Sequence, residues 1–168
     1  MVIYGYIHRL GDGVTAEQII APEWREEDPA ALAAHCLEAV DPQLPERVRP
    51  GDLLLAGRGF GAGEGQETAV LALQAAGFVA LVCADADPDF VGQAAVYGLP
   101  VLIAAEAVAG LPAGALARLD LARGTLADRE SGAAFPVPVP PPAVLDAFRR
   151  ALLLNRMRQV VEEEGFDG

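Results

Sequence analysis

At 168 residues and 17.5 kDa the chain is long enough for one domain with a sizeable core, and 52% hydrophobic against 21% charged residues excludes a disordered one. All twelve basic residues are arginine, and twenty-four acids leave a net charge of -12 that repels nucleic acid and anionic membrane surfaces. The densest basic group, Arg149, Arg150, Arg156 and Arg158, is followed directly by Glu162, Glu163 and Glu164, so no basic patch offsets this.

Val2 to Ile7 reads as a first strand, and Gly11-Asp12-Gly13 as a turn into the segment Thr15 to Ile20. Asp28-Pro29 is a helix start, with Asp28 as cap, proline at the first helical position and Leu32, Cys36, Leu37 and Val40 as an apolar stripe. Pro42, Pro45 and Pro50 read as a stiff connector. Leu53 to Ala56 is a buried strand, residues 66–76 a helix closed by Gly77, and 78–83 a fully buried strand. Asp85-Ala86-Asp87-Pro88 opens another helix, which ends at Gly98 before the short strand 101–103. Short joints between these strands and helices predict a sheet that is at least partly parallel.

After Gly110 the pattern changes. Segments at 117–121, 124–127 and 133–137 have the spacing of a small β-layer, and Pro136, Pro138, Pro140, Pro141 and Pro142 argue against regular pairing beyond it. From Ala143 to about Glu164 a long amphipathic helix places Val144, Phe148 and Leu152, with Leu145, Met157 and Val161, where they can cover the sheet of the same domain.

The segment from Gly57 to Gly65 carries the chemistry: a glycine stands at every second position between a buried strand and a helix. Glycine serves where the backbone takes positive φ or another group approaches closely, and a helix N-terminus presents free N–H groups to anions. A small acidic molecule fits such a corner, although a glycine turn can also serve only to pack a helix on a sheet. The spacing is neither G-x-G-x-x-G nor a P-loop, and the chain has no lysine to reach a phosphate, which places a nucleotide-binding module last. Cys36 and Cys83 lie far apart within apolar patterns and read as core residues. His8, His35, Trp24 and Phe60 read as packing residues. The start lacks the features of a secretory signal and no run of 18 apolar residues follows, so the expected location is cytoplasmic.

Gly11-Asp12, Asp28-Pro29 to His35-Cys36, Arg49-Pro50-Gly51-Asp52-Leu53, Phe60-Gly61-Ala62-Gly63 and Tyr97-Gly98-Leu99-Pro100-Val101 occur in an order and spacing that resembles the small subunit of 3-isopropylmalate dehydratase and homoaconitase, equivalent to the swivelling domain of aconitase. The resemblance covers residues 1–105; 106–168 are read as the small β-layer, the Pro-rich connector and the C-terminal helix of one swivel-type domain. It implies an α/β fold, a swivelling β/β/α domain of the aconitase type in a single compact domain with a C-terminal helix. It also implies a large dehydratase subunit as partner, which carries a 4Fe-4S cluster, while this chain binds no cofactor or metal. Together such subunits isomerise a hydroxy di- or tricarboxylic acid by removing and re-adding water. Self-association of the isolated chain is left open.

The family places a serine base and a carboxylate-binding arginine in a Gly-Ser-Ser-Arg-Glu-His-Ala run, where this sequence reads Gly63-Glu64-Gly65-Gln66-Glu67-Thr68-Ala69. Glutamine in place of arginine removes a bidentate charged partner. The expected catalytic residues are therefore Glu64 and Glu67, with Arg58, Gly61, Gly63, Gly65, Gln66 and Thr68 as substrate-binding positions. Glu64 adds negative charge at the turn unless Arg58 swings in. Two readings stay open at this stage: a dehydratase small subunit of this type, and a catalytically degenerate swivel-domain paralogue that binds an acid ligand or a partner.

Overall fold

A computed structural model describes the backbone of residues 1–163 and the side chains of residues 1–154. The C-terminal expectations that fall on Arg156, Met157, Arg158, Val161 and the three glutamates therefore lie outside the described side chains. Seven strands form one mixed sheet in the order β4-β3-β2-β1-β5-β6-β7. They are β1 (Val2–Arg9), β2 (Leu53–Ala56), β3 (Ala80–Cys83), β4 (Val101–Ile103), β5 (Leu116–Asp120), β6 (Thr125–Asp128) and β7 (Ala134–Pro136). The first four are parallel neighbours; β5, β6 and β7 add on antiparallel, starting beside β1.

Two apolar layers sandwich the parallel half. Successive strand residues face opposite sides, so β2 sends Leu54 and Ala56 one way and Leu53 and Leu55 the other, all fully buried. The first side is covered by α1 (Ala16–Ile19), α2 (Pro29–His35), α4 (Gln66–Ala76) and α5 (Pro88–Val96), with α3 (Leu44–Arg47) joining α2 to β2. On the second side α6 (Ala105–Gly110) and the start of α7 (Pro142–Glu163) pack, the latter through Phe148. No helix among the described residues is long and apolar enough to cross a membrane.

Four local expectations are corrected. The proline connector contains the one-turn helix α3, because Pro45 sits within its first turn where a missing N–H costs nothing. The stripe through Val40 is not one helix: α2 stops at His35, Leu37 takes a left-handed φ of 62° and Val40 is exposed. Pro136 does pair, opposite Thr125, which a proline can do at the end of an edge strand. Segments 116–136 continue the main sheet rather than stacking on it.

Candidate functional site

The corner begins where β2 ends. Gly59, Gly61, Gly63 and Gly65 all have positive φ, and Gly65, at φ 81°, is the cap of α4. Space demands glycine at several of these positions as strongly as φ does. A Cβ on Gly57 would lie 1.9 Å from the Asp12 carboxylate, and one on Gly61 2.4 Å from the Phe90 ring. Phe60 beneath the turn is fully buried and meets Phe90 edge-on at 5.4 Å.

The turn is fastened along its length to residues 11–17. Gly57 N–H donates to Gly11 O at 3.1 Å, Gly13 to Arg58 O at 2.8 Å, Gly61 to Val14 O at 2.8 Å and Ala16 to Ala62 O at 2.8 Å. The Asp12 carboxylate accepts the Arg58 amide at 2.7 Å, and the Glu17 carboxylate accepts the Glu64 amide at 2.7 Å. Glu17 is held for this by α1, whose Thr15 and Gln18 form a capping box. The Glu64 N–H beside Glu17 holds its carboxyl below the ordinary value, with its own backbone amide adding to the effect.

Glu64 itself is exposed, and its peptide is gripped from both sides: Glu17 takes the N–H, and Arg25 Nη2 donates to the carbonyl at 3.2 Å. The guanidinium at the Glu64 peptide is thus that of Arg25; Arg58 is exposed and held by its backbone amide. Arg25 packs flat on Gly65, where a Cβ would come within 2.6 Å of its Nε, a buried donor that finds no acceptor. Two of the chain's own side chains therefore occupy the flank of the corner. The first amides of α4 have no side-chain cap and, by helix geometry, no intrahelical acceptor.

Gln66 is half-buried at the first position of α4. Its Nε2 donates to Gly61 O at 2.9 Å and to Asp87 Oδ1 at 3.0 Å, and Asp87 caps α5 by accepting the amides of Asp89 and Phe90. The Gln66 amide is the main cause that holds the Asp87 carboxyl below its ordinary value. Glu67 accepts the Tyr97 hydroxyl, so its carboxylate lies along the flank of α4 that faces α5, and this contact raises the Tyr97 pKa. Thr68 is half-buried in the first turn.

The sequence reading brought together Gly61, Gly63, Gly65, Glu64 and Gln66, and the structure does the same. It adds Glu17, Arg25, Asp87 and Tyr97, which come from four other segments. The signal for Glu17 is the resemblance of Asp12–Glu17 to a family segment that begins and ends on an acid; Arg25 sits in a run of acids and gives none. The chain's single serine, Ser131, lies in the β6–β7 turn, bonded by the Ala133 amide. Cys36 and Cys83 are buried, which pushes their thiols up, that of Cys83 to about 12, and neither is a thiolate at neutral pH. Among the described residues no three His, Cys, Asp or Glu gather as a metal site.

Fold and corner define a class: a mixed-sheet α/β domain that presents a glycine-lined helix N-terminus beside the exposed Glu64 carboxylate. No family model matches the chain. It is 36% identical to the 3-isopropylmalate dehydratase small subunit of Moorella thermoacetica, over 84% of this chain and 86% of that protein. The small subunit from Caldicellulosiruptor saccharolyticus is 29% identical over 99% and 97% of the two chains. A crystal structure of 3-isopropylmalate dehydratase from Methanocaldococcus jannaschii superposes with a TM-score of 0.82 at 27% identity, covering 99% of this chain and all of the other. The chain belongs to the family of 3-isopropylmalate dehydratase small subunits.

Proposed function

We propose that the chain is the non-cluster half of a hydro-lyase of the 3-isopropylmalate dehydratase kind, lending its glycine corner to an active site that a large subunit completes. The observation that carries this reading is the corner itself: amides at the start of α4 without a side-chain cap, beside an exposed carboxylate whose peptide is fixed from both sides.

The two buried cysteines do not suit an iron–sulfur cluster, so a 4Fe-4S cluster belongs to the large subunit; there it supplies Lewis-acid assistance to the departing hydroxyl. This chain's own contribution is positional and acid–base. The α4 amides orient a carboxylate of the substrate, the exposed Arg58 adds positive charge, and Thr68 lies in the first turn of α4. Glycines at 61, 63 and 65 let Phe90, Glu17 and Arg25 pack directly against the turn and so fix its backbone. Glu64 transfers the carbon-bound proton, and closure by the partner removes water around it. Glu67, turned toward Tyr97, supports the corner from behind.

Co-expression with each candidate large subunit from the same genome, anaerobic cluster reconstitution and an assay of isopropylmalate and homoaconitate isomerisation test the proposal. Turnover that disappears in Glu64→Ala is the expected result. Stable complexes without turnover on any hydroxy acid would retire it in favour of a swivel domain that binds without catalysis.

A further inference from the structure

Gln66 has one hydrogen-bonding group left over. A glutamine side chain owns two N–H donors and one carbonyl acceptor. Both donors are spent, on Gly61 O at 2.9 Å and Asp87 Oδ1 at 3.0 Å. The amide cannot be turned over, because that would set its oxygen against a backbone carbonyl and a carboxylate that Gln66 and the α5 amides hold in the charged form. What remains is Oε1. No donor among the described residues reaches it, and it is not shut off from solvent.

We propose that Gln66 determines specificity at this corner: through Oε1 it selects a hydrogen-bond donor on the substrate, a hydroxyl or a carboxamide, and rejects a carboxylate at that position. The inference rests on the functional reading above and names the substrate class within it, a hydroxy acid with a neutral donor group over Gln66 and its carboxylate elsewhere. The electrostatics point the same way. Asp87 lies one hydrogen bond behind the Gln66 amide, and Glu64 and Glu17 stand beside the turn, so a second carboxylate here would meet an acceptor and three acids. A donor group meets a carbonyl that lacks a partner, and leaving a polar group unpaired is what makes such a site discriminate.

The test uses the reconstituted complex with the large subunit and two ligands of one skeleton, 2-isopropylmalate and its monoamide, measured both by turnover and by equilibrium binding. The wild-type complex should bind the monoamide at least about tenfold tighter. Gln66→Met, which has neither donor nor acceptor, should bring the ratio near one. Gln66→Arg, which presents donors, should invert it, with the change in KM rather than kcat. Melting temperatures of the variants separate loss of discrimination from loss of fold. A wild-type complex that prefers the diacid, or a ratio that Gln66→Met leaves unchanged, overturns the inference. Absence of turnover with either ligand counts against the hydro-lyase reading instead, and the binding ratio still decides the role of Gln66.

Discussion

The carboxylate of Glu17 accepts the backbone amide of Glu64 at 2.7 Å, across 47 residues of sequence. This bond ends a zipper in which residues 11–17 hold the glycine turn, and it belongs to a group whose carboxyl is held below its ordinary value of 4.5. A group with a depressed folded-state pKa stabilises the fold above its unfolded value and loses that contribution as pH falls through the folded one. The grip on Glu64 is therefore complete at neutral pH and is released only below 4.5. In an NMR titration the Glu64 amide proton should follow Glu17 with a midpoint under 4.5, and in Glu17→Gln that pH dependence should vanish. A midpoint at or above the ordinary value would contradict the assignment.

Gly61 and Gly92 make a matched pair for a stability measurement. Gly61 has φ 85° and its missing Cβ would stand 2.4 Å from the Phe90 ring, whereas Gly92, within α5, has nothing within 4 Å. Left-handed strain and overpacking together should make Gly61→Ala cost about 2–4 kcal/mol. Gly92→Ala should stabilise by about 0.5–1 kcal/mol through helix propensity alone. Chemical denaturation of both variants reads the contrast, and equal effects would mean the turn is not packed against Phe90.

Asp52 joins the two central strands from the loop before β2. It is 3% exposed, pairs with His8 Nε2 at 2.7 Å and accepts the amides of Tyr6 at 3.2 Å and Arg49 at 2.9 Å. Removing it strands three donors in a dry place, so Asp52→Ala should cost about 3 kcal/mol in equilibrium unfolding. His8→Phe, which removes one of those partners and keeps the ring against Phe78 (5.7 Å between centroids), should cost less than half of that.

Local chemistry made much of this molecule legible in advance. The helix at 66–76 has the bounds the glycine stops predict, and the apolar runs at 53–56 and 101–103 are strands, because Gly, Pro and apolar period act within a few residues. What local pattern could not reach was pairing at a distance. Nothing around Leu116 says that it lies opposite Tyr6, so the antiparallel half looked like a layer of its own. The same limit applies at the corner. Its glycines announced themselves, but the residues that give them meaning, Glu17 and Arg25 on the Glu64 peptide and Asp87 behind Gln66, arrive from other segments. A helix as short as the one-turn α3 leaves no periodicity to read at all.

Two carboxylates compete for the proton-transfer role, and their surroundings separate them. Glu64 is exposed between two glycines and its side chain has no partner among the described residues, while Glu67 is bound by the Tyr97 hydroxyl. The bond fixes Glu67 toward Tyr97, which α4 also holds about two turns further on, through Gln74 Nε2 donating to its carbonyl at 2.7 Å. General-base catalysis contributes roughly 10²–10⁴-fold, so Glu64→Ala should lower kcat of the reconstituted complex by that order. Glu67→Gln should change kcat only about two- to threefold, the cost of one altered exposed hydrogen bond. It should also let the Tyr97 hydroxyl ionise at lower pH, because the neighbouring Glu67 carboxylate is the chief cause of its raised pKa. Ultraviolet titration of tyrosine reads the second effect without a partner subunit. A hundredfold loss in Glu67→Gln with Glu64→Ala fully active would exchange the two roles.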